Sequence, residues 1–246
     1  MEAEALKVEV WSDYVCPFCY IGKRRFEAAL QQFSNKDAVE VVYKSFELDP
    51  HAKRDGNPSV YEMLAAKYGM SREQAIANTN QIAQQAKSLG LDYYFDRTIQ
   101  TNTFDAHRLS HFAATKGKLA QMTERLLKAH FTDTLHIGHH DTLADLAAEV
   151  GLDRAEALRV LTNGDYADEV RADEQEAGRI GVRGVPFFVI NRKYAMSGAQ
   201  PSEVFLEALQ KAWDEDHPLT MLGDSAEGAV CTDEGCAIPG KEGQSS

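Results

Sequence analysis

Apolar and polar residues alternate along residues 6–12 (LKVEVWS) and run into a turn-like Ser12-Asp13. That period of two is a strand signature. Directly after Cys16-Pro17 the period changes. Apolar residues recur at Phe18, Ile21, Phe26, Ala29, Leu30 and Phe33, which is helical spacing, and Pro17 stands where a first helical turn tolerates it. A second strand pattern follows at 38–46 (AVEVVYKSF), so the chain opens as strand, C-x-x-C, helix, strand.

Residues 50–180 read as helices with ordinary punctuation. Asn57-Pro58 opens one that Gly69 closes, and Ser71 with Gln74 forms a capping-box pattern before another that ends near Gly90. Further helical segments are expected at roughly 103–116, 118–131, 142–150, 154–162 and 166–180. Strand character returns at 185–190 (VPFFVI) and 194–197, and a last helix runs from near Pro201 to Trp213. The sum is an α/β fold: a thioredoxin fold interrupted by an all-helical insertion, which is too long and too periodic to be a loop. The expected segments are 1–49 and 181–214 for the two parts of the thioredoxin fold, 50–180 for the insertion, and 215–246 for a mobile, cysteine-containing tail rich in Gly, Ser, Asp and Glu.

Composition narrows the function classes. The chain has 246 residues, 43% of them hydrophobic, and a formal net charge of −12. A nucleic-acid partner needs clustered Lys and Arg, and an anionic membrane surface needs the same, so neither is expected. No basic region followed by an apolar stretch opens the chain, and no run approaches a membrane-spanning length, so a reducing cytoplasm is the expected compartment. The four cysteines fall into two close pairs, Cys16/Cys19 and Cys231/Cys236, and in a reducing setting such pairs are redox-active or metal-binding more often than structural.

The first pair carries the chemistry. Cys16 stands at a helix N-terminus, where unpaired N–H groups and the helix dipole favour an anion, and such placement lowers a thiol pKa from about 8.5 toward 3.5–7. Cys19 lies one turn on, close enough to attack a mixed disulfide formed at Cys16. The expectation is one exposed, activated sulfur and one shielded neighbour. Far downstream, Gly184-Val185-Pro186 begins the late strand, where a proline is tolerated only at special geometry. A cis Val185–Pro186 bond facing the cysteines fits there, with the Val185 backbone left to pair with a bound peptide.

These elements, in this order, resemble the thioredoxin superfamily. The phrases VWSDYVCPFCYIGKRRFE, NTFDAHRL and GVRGVPFFVI, with the position of the insertion, resemble the DsbA-like FrnE branch over roughly residues 7–213. The resemblance implies dithiol–disulfide oxidoreductase and isomerase activity on protein or small-molecule substrates. It implies Cys16 as nucleophile, Cys19 as resolving thiol and a cis-Pro186 loop beside them. No cofactor is expected; a thiol reductant such as glutathione or thioredoxin is the candidate recycling partner. Two departures stand out. The position six residues before Cys16, where related oxidoreductases often carry a buried carboxylate, is Val10; Asp13 is nearer but placed at a turn, so proton transfer to Cys19 is expected to use water or another group. The central dipeptide is Pro17-Phe18, with no His, so a less oxidising couple is expected.

Other features have two readings each. Cys231 and Cys236 (CTDEGC) are either a second redox pair that exchanges with the first, or incidental exposed thiols or a local disulfide of no consequence, and a zinc bound by all four cysteines is a lesser alternative. His130, His136, His139 and His140 lack a helical metal-binding spacing and are expected to be solvated loop histidines, with no metal. Asn102, His107 and Arg108 are read as a helix cap and a paired surface arginine, with a substrate-facing role as the other reading. Phe18, Trp11 and Tyr14 flank the cysteines, Phe18 as a substrate-contacting residue and Trp11 as core. The rival functions are a glutathione-dependent isomerase or kappa-class-like transferase, and a redox-switched binding protein. Keeping both cysteines favours exchange.

Overall fold

The computed structural model describes residues 5–218 and two short strands, 230–232 and 235–237. Contacts along the chain divide it into two units, Met1–Ala212 and Trp213–Ser246.

The first unit is built on a sheet in the order β2–β1–β3–β4. The strands are β1 (Leu6–Ser12), β2 (Val39–Ser45), β3 (Phe187–Ile190) and β4 (Tyr194–Ser197). β2 runs parallel to β1, joined to it through α1 (Pro17–Gln32); β3 is antiparallel to β1, and β4 to β3. As an interior strand, β1 is covered on both faces: Leu6, Val8, Val10 and Trp11 are all buried, and so is Glu9, whose carboxylate pairs with Arg192. Trp11 is core, as expected, and its indole N–H donates to the Asp173 carbonyl at 3.0 Å. Phe26 of α1, Phe188 of β3 and Phe205 of α9 (Ser202–Asp216) meet with ring centroids 4.6 to 5.6 Å apart, at angles that suit their quadrupoles.

Seven helices separate the two parts of the sheet: α2 (Val60–Tyr68), α3 (Arg72–Lys87), α4 (Phe104–Thr115), α5 (Leu119–Phe131), α6 (His140–Glu149), α7 (Arg154–Asn163) and α8 (Ala167–Ile180). The opening of α2 differs from the sequence reading. Ser59, not Asn57-Pro58, caps it: the Ser59 hydroxyl accepts from Glu62 N–H, and the Glu62 carboxylate accepts from Ser59 N–H at 2.9 Å. That reciprocal pair satisfies two end groups that a proline cannot. The Ser71–Gln74 box at the head of α3 is present as read. Asp153 caps α7, whose end is turned by Gly164 at φ 80°, a left-handed backbone that favours glycine.

These helices do not form a core of their own. Tyr14, Tyr20 and Ile21, from the edge of the sheet and α1, pack in one cluster with Leu109, Phe112, Met122 and Leu126 of α4 and α5. An ion cluster ties the same elements: Glu124 of α5 takes hydrogen bonds from Lys23, Arg24 and Tyr20 of α1. Burial alone would raise the Glu124 carboxyl, but Arg24 and Lys23 hold it down to about 2.

In the second unit β5 (Val230–Thr232) and β6 (Gly235–Ala237) form an antiparallel hairpin that the sequence reading did not anticipate, with Cys231 in register opposite Cys236. The side chains of that candidate redox pair lie outside the described residues. Among the described residues no helix is long and apolar enough to cross a membrane.

Candidate active site

Cys16 is the N-cap of α1, with extended backbone (φ −89°, ψ 114°), and Pro17 occupies the first turn. No side-chain hydrogen bond caps this helix end, so its first N–H groups are left without a side-chain acceptor. The turn leading in is held by Cys16 N–H on the Asp13 carbonyl at 3.2 Å, and Tyr93 O–H donates to the Pro17 carbonyl at 2.8 Å. Val185–Pro186 is cis, and the Val185 carbonyl accepts from Cys16 Sγ at 3.5 Å. The late strand begins only at Phe187, because proline has no N–H to give to the ladder. The first cysteine and the proline loop, far apart in sequence, therefore meet at one sulfur.

Their closeness depends on a glycine in α1. A Cβ on Gly22 would come within 3.0 Å of the Pro186 ring and 3.5 Å of Ala199, so the helix and the loop are in contact across that position. Both cysteines are free thiols. Cys19 is 3% exposed, and its Sγ accepts the Asp13 backbone N–H at 3.4 Å. Burial, and then the adjacent Cys16, push the Cys19 thiol well above its ordinary range, so it stays protonated.

Three expectations need correcting. Cys16 is not an exposed sulfur: it is only 5% exposed, and it borders a cavity lined also by Phe18 and by residues of α2 and α3. Arg108 is not a surface arginine. It is buried, pairs with Asp105 at 2.6 Å and donates to the Val160, Leu161 and Asp165 carbonyls at the end of α7. Nor is His130 a solvated loop residue: it is buried, and desolvation lowers its pKa to about 4. Asn102 does act near a helix start, accepting from Phe104 N–H at 2.9 Å. His136 and His139 stack with centroids 3.7 Å apart, and both face one oxygen of Asp55. Gly138 N–H donates to Nδ1 of His136, which leaves the ring proton on Nε2 toward Asp55; the carboxylate satisfies the cluster by hydrogen bonding.

Sequence reasoning noted Val10 where relatives often carry a buried carboxylate and placed Asp13 only at a turn, missing that Asp13 is buried beside Cys19. Asp13 is fully buried just past β1, with one oxygen accepting Leu48 N–H at 2.8 Å and the other 3.4 Å from Nε2 of His107 on α4. Its place in the turn was legible; its burial comes from α4, which no local pattern announces. Phe18, by contrast, is 41% exposed and lines the cavity beside Cys16.

Residues 7–210 match the family model described as the DSBA-like thioredoxin domain. The uncharacterized protein YwbO of Bacillus subtilis (strain 168) is 32% identical over 204 residues, covering 82% of this chain and 94% of the relative. The crystal structure of a probable DsbA oxidoreductase from Streptomyces coelicolor is 46% identical with a TM-score of 0.83, covering 96% of this chain and 100% of that one. A 2-hydroxychromene-2-carboxylate isomerase shares the fold at 13% identity with a TM-score of 0.67, covering 87% of this chain and 100% of that one.

Proposed function

The chain belongs to the DSBA-like thioredoxin domain family, and from that premise we propose that it exchanges disulfides through Cys16 and Cys19. One observation carries the reading: the Cys16 sulfur sits at the uncapped start of α1 and 3.5 Å from the carbonyl of the cis-proline loop, with Cys19 protonated one turn deeper.

The Cys16 thiolate attacks one sulfur of a substrate disulfide, forming a Cys16 mixed disulfide and releasing the other half as a thiolate. Cys19 then loses its proton and attacks Cys16, closing the Cys16–Cys19 disulfide and releasing the second substrate thiolate. Two electrons pass from the dithiol to the substrate. A small thiol or dithiol such as glutathione or reduced thioredoxin reverses the last bond, and excess substrate dithiol drives the reaction toward oxidation. The N–H of Asp13 stabilises the Cys19 sulfur as charge develops on it.

The alternative, a glutathione-dependent isomerase or transferase, needs only one activated group at the first position. A second thiol with its own hydrogen-bond donor supports exchange instead. Reduction of a small disulfide and of insulin by dithiothreitol, with Cys16→Ser and Cys19→Ala alongside the parent, tests the reading. Cys16→Ser is expected to abolish catalysis, and Cys19→Ala to accumulate a mixed disulfide visible by mass spectrometry. Full activity in Cys16→Ser defeats it.

A further inference from the structure

A cavity of about 400 Å³ opens beside Cys16, between the start of α1 and the helices α2 and α3. Val60, Met63 and Leu64 of α2, Ile82 of α3, and Phe95 and Phe131 make its walls mostly apolar. Cys16, Phe18 and Val185 border it, so a molecule seated there lies against the attacking sulfur. Its size is that of a small-molecule site. Cys16 itself is only 5% exposed, which hinders a folded protein from presenting a disulfide to it and favours a ligand narrow enough to enter.

Polar residues are a minority of the lining, with Asn78, Thr79, Thr98 and Gln100 among them. Lys67, on the exposed last turn of α2, is the one formally charged residue among those that line it, in a protein whose net charge is −12. The buried imidazole of His130 also lines the cavity, and its Nδ1 has no hydrogen-bond partner among the described residues. A buried polar atom without a partner is costly to leave so.

We propose that this cavity binds the body of a small disulfide or thiol substrate: an apolar, ring-bearing molecule whose sulfur meets Cys16 and whose single anionic group pairs with Lys67. The inference rests on the disulfide-exchange reading and names the substrate class of that same site. The chemistry is the exchange already written, with the released and retained halves both small thiolates. Binding in the cavity orients one sulfur toward Cys16, and the apolar walls take up the rest of the molecule.

The test uses the reduced full-length chain mixed with one equivalent of each of three probes, followed by rapid quench. The probes are bis(nitrobenzoate) disulfide (aromatic and anionic), dithiodipyridine (aromatic and neutral) and cystamine (aliphatic and cationic). Each rate is divided by that of free cysteine with the same probe. The ratio for the nitrobenzoate probe is expected to exceed that for cystamine by about tenfold or more, equivalent to one well-placed ionic contact. Lys67→Glu is expected to slow the anionic probe about tenfold and to leave dithiodipyridine within about twofold. Leu64→Trp, which fills the cavity, is expected to slow both aromatic probes while alkylation of Cys16 by iodoacetamide persists. If Leu64→Trp does not fold, Lys67→Glu at the exposed rim decides alone.

Equal ratios for all three probes, or a Lys67→Glu effect that is the same for anionic and neutral probes, overturn the proposal. So does attack on insulin disulfides as fast as on the nitrobenzoate probe. Cys16→Ser separates the two levels. If its reactivity with the probes matches the parent, disulfide exchange itself falls; if only the Lys67 and Leu64 variants fail to respond, the cavity assignment falls and exchange stands.

Discussion

Asp13 and His107 face each other across 3.4 Å in the interior, one from the turn after β1 and the other from α4. Neither Asp13 Oδ1 nor His107 Nε2 has any aligned hydrogen-bond partner among the described residues. The same Asp13 gives its backbone N–H to Cys19. A carboxylate kept from water with only one oxygen bonded depends on whatever polarity its neighbour supplies. Removing the imidazole with His107→Ala is therefore expected to cost about 3 kcal/mol in urea unfolding, and Asp13→Asn about 1 kcal/mol, since the amide keeps the shape without the charge. Equal, small losses for both variants contradict that ordering.

Much of this was readable beforehand, for definite reasons. The strand–CPFC–helix opening and the helical run to Ile180 were visible because local periodicity and caps specify them. The partnership of Cys16 with Pro186 was visible because a proline at a strand start is hard to explain otherwise. Burial of Asp13, Arg108 and His130 was not, since each is covered by helices distant in sequence. The cavity was invisible for the same reason: Met63, Ile82 and Phe131 belong to three elements, and nothing in any one of them says that they face Cys16.

Acid should weaken the fold in two stages, each with its own residue. His130 is neutral in the folded chain down to about pH 4, whereas the unfolded chain protonates it near 6.5. As pH falls through that window the unfolded state binds a proton that the folded state refuses, so stability is lost, by about 2 kcal/mol at pH 5. His130→Leu is expected to flatten urea midpoints between pH 6.5 and 4.

Glu124 acts lower on the scale. Its folded pKa, about 2, is below the ordinary 4.5, so its contribution is fully present above 4.5 and disappears as pH falls toward 2. Glu124→Gln is expected to lower stability at neutral pH and to remove that part of the acid slope. An unchanged slope in the variant means that the contacts with Lys23 and Arg24 do not stabilise the fold.

Gly22→Ala is a sharp probe of how closely α1 and the proline loop meet. The added methyl lands 3.0 Å from the Pro186 ring, so something must shift by a few tenths of an ångström. A loss of about 1 kcal/mol and a slower reaction of Cys16 with disulfides are expected, measured by thermal unfolding and by rapid quench. An ordinary helical glycine replaced by alanine would instead gain stability.

The tail hairpin makes its own prediction. Directly opposed residues of an antiparallel pair have Cα atoms about 4.5–5.5 Å apart, within the span of a disulfide, and Cys231 and Cys236 hold that register. In a Cys16→Ser/Cys19→Ser double variant, mild oxidation is expected to consume both remaining thiols without dimer formation, read by thiol titration and non-reducing electrophoresis. Two persistent thiols would leave the pair incidental.

The packing of Tyr14, Tyr20 and Ile21 among the side chains of α4 and α5 has a practical consequence for anyone redesigning this chain. Its helical block is not an exchangeable attachment on a finished chassis. Cutting it out would strip the floor from beneath the cysteines, and grafting in a relative's block would require recutting the seam on both sides, so new specificity is better sought by repainting α2 and α3 in place.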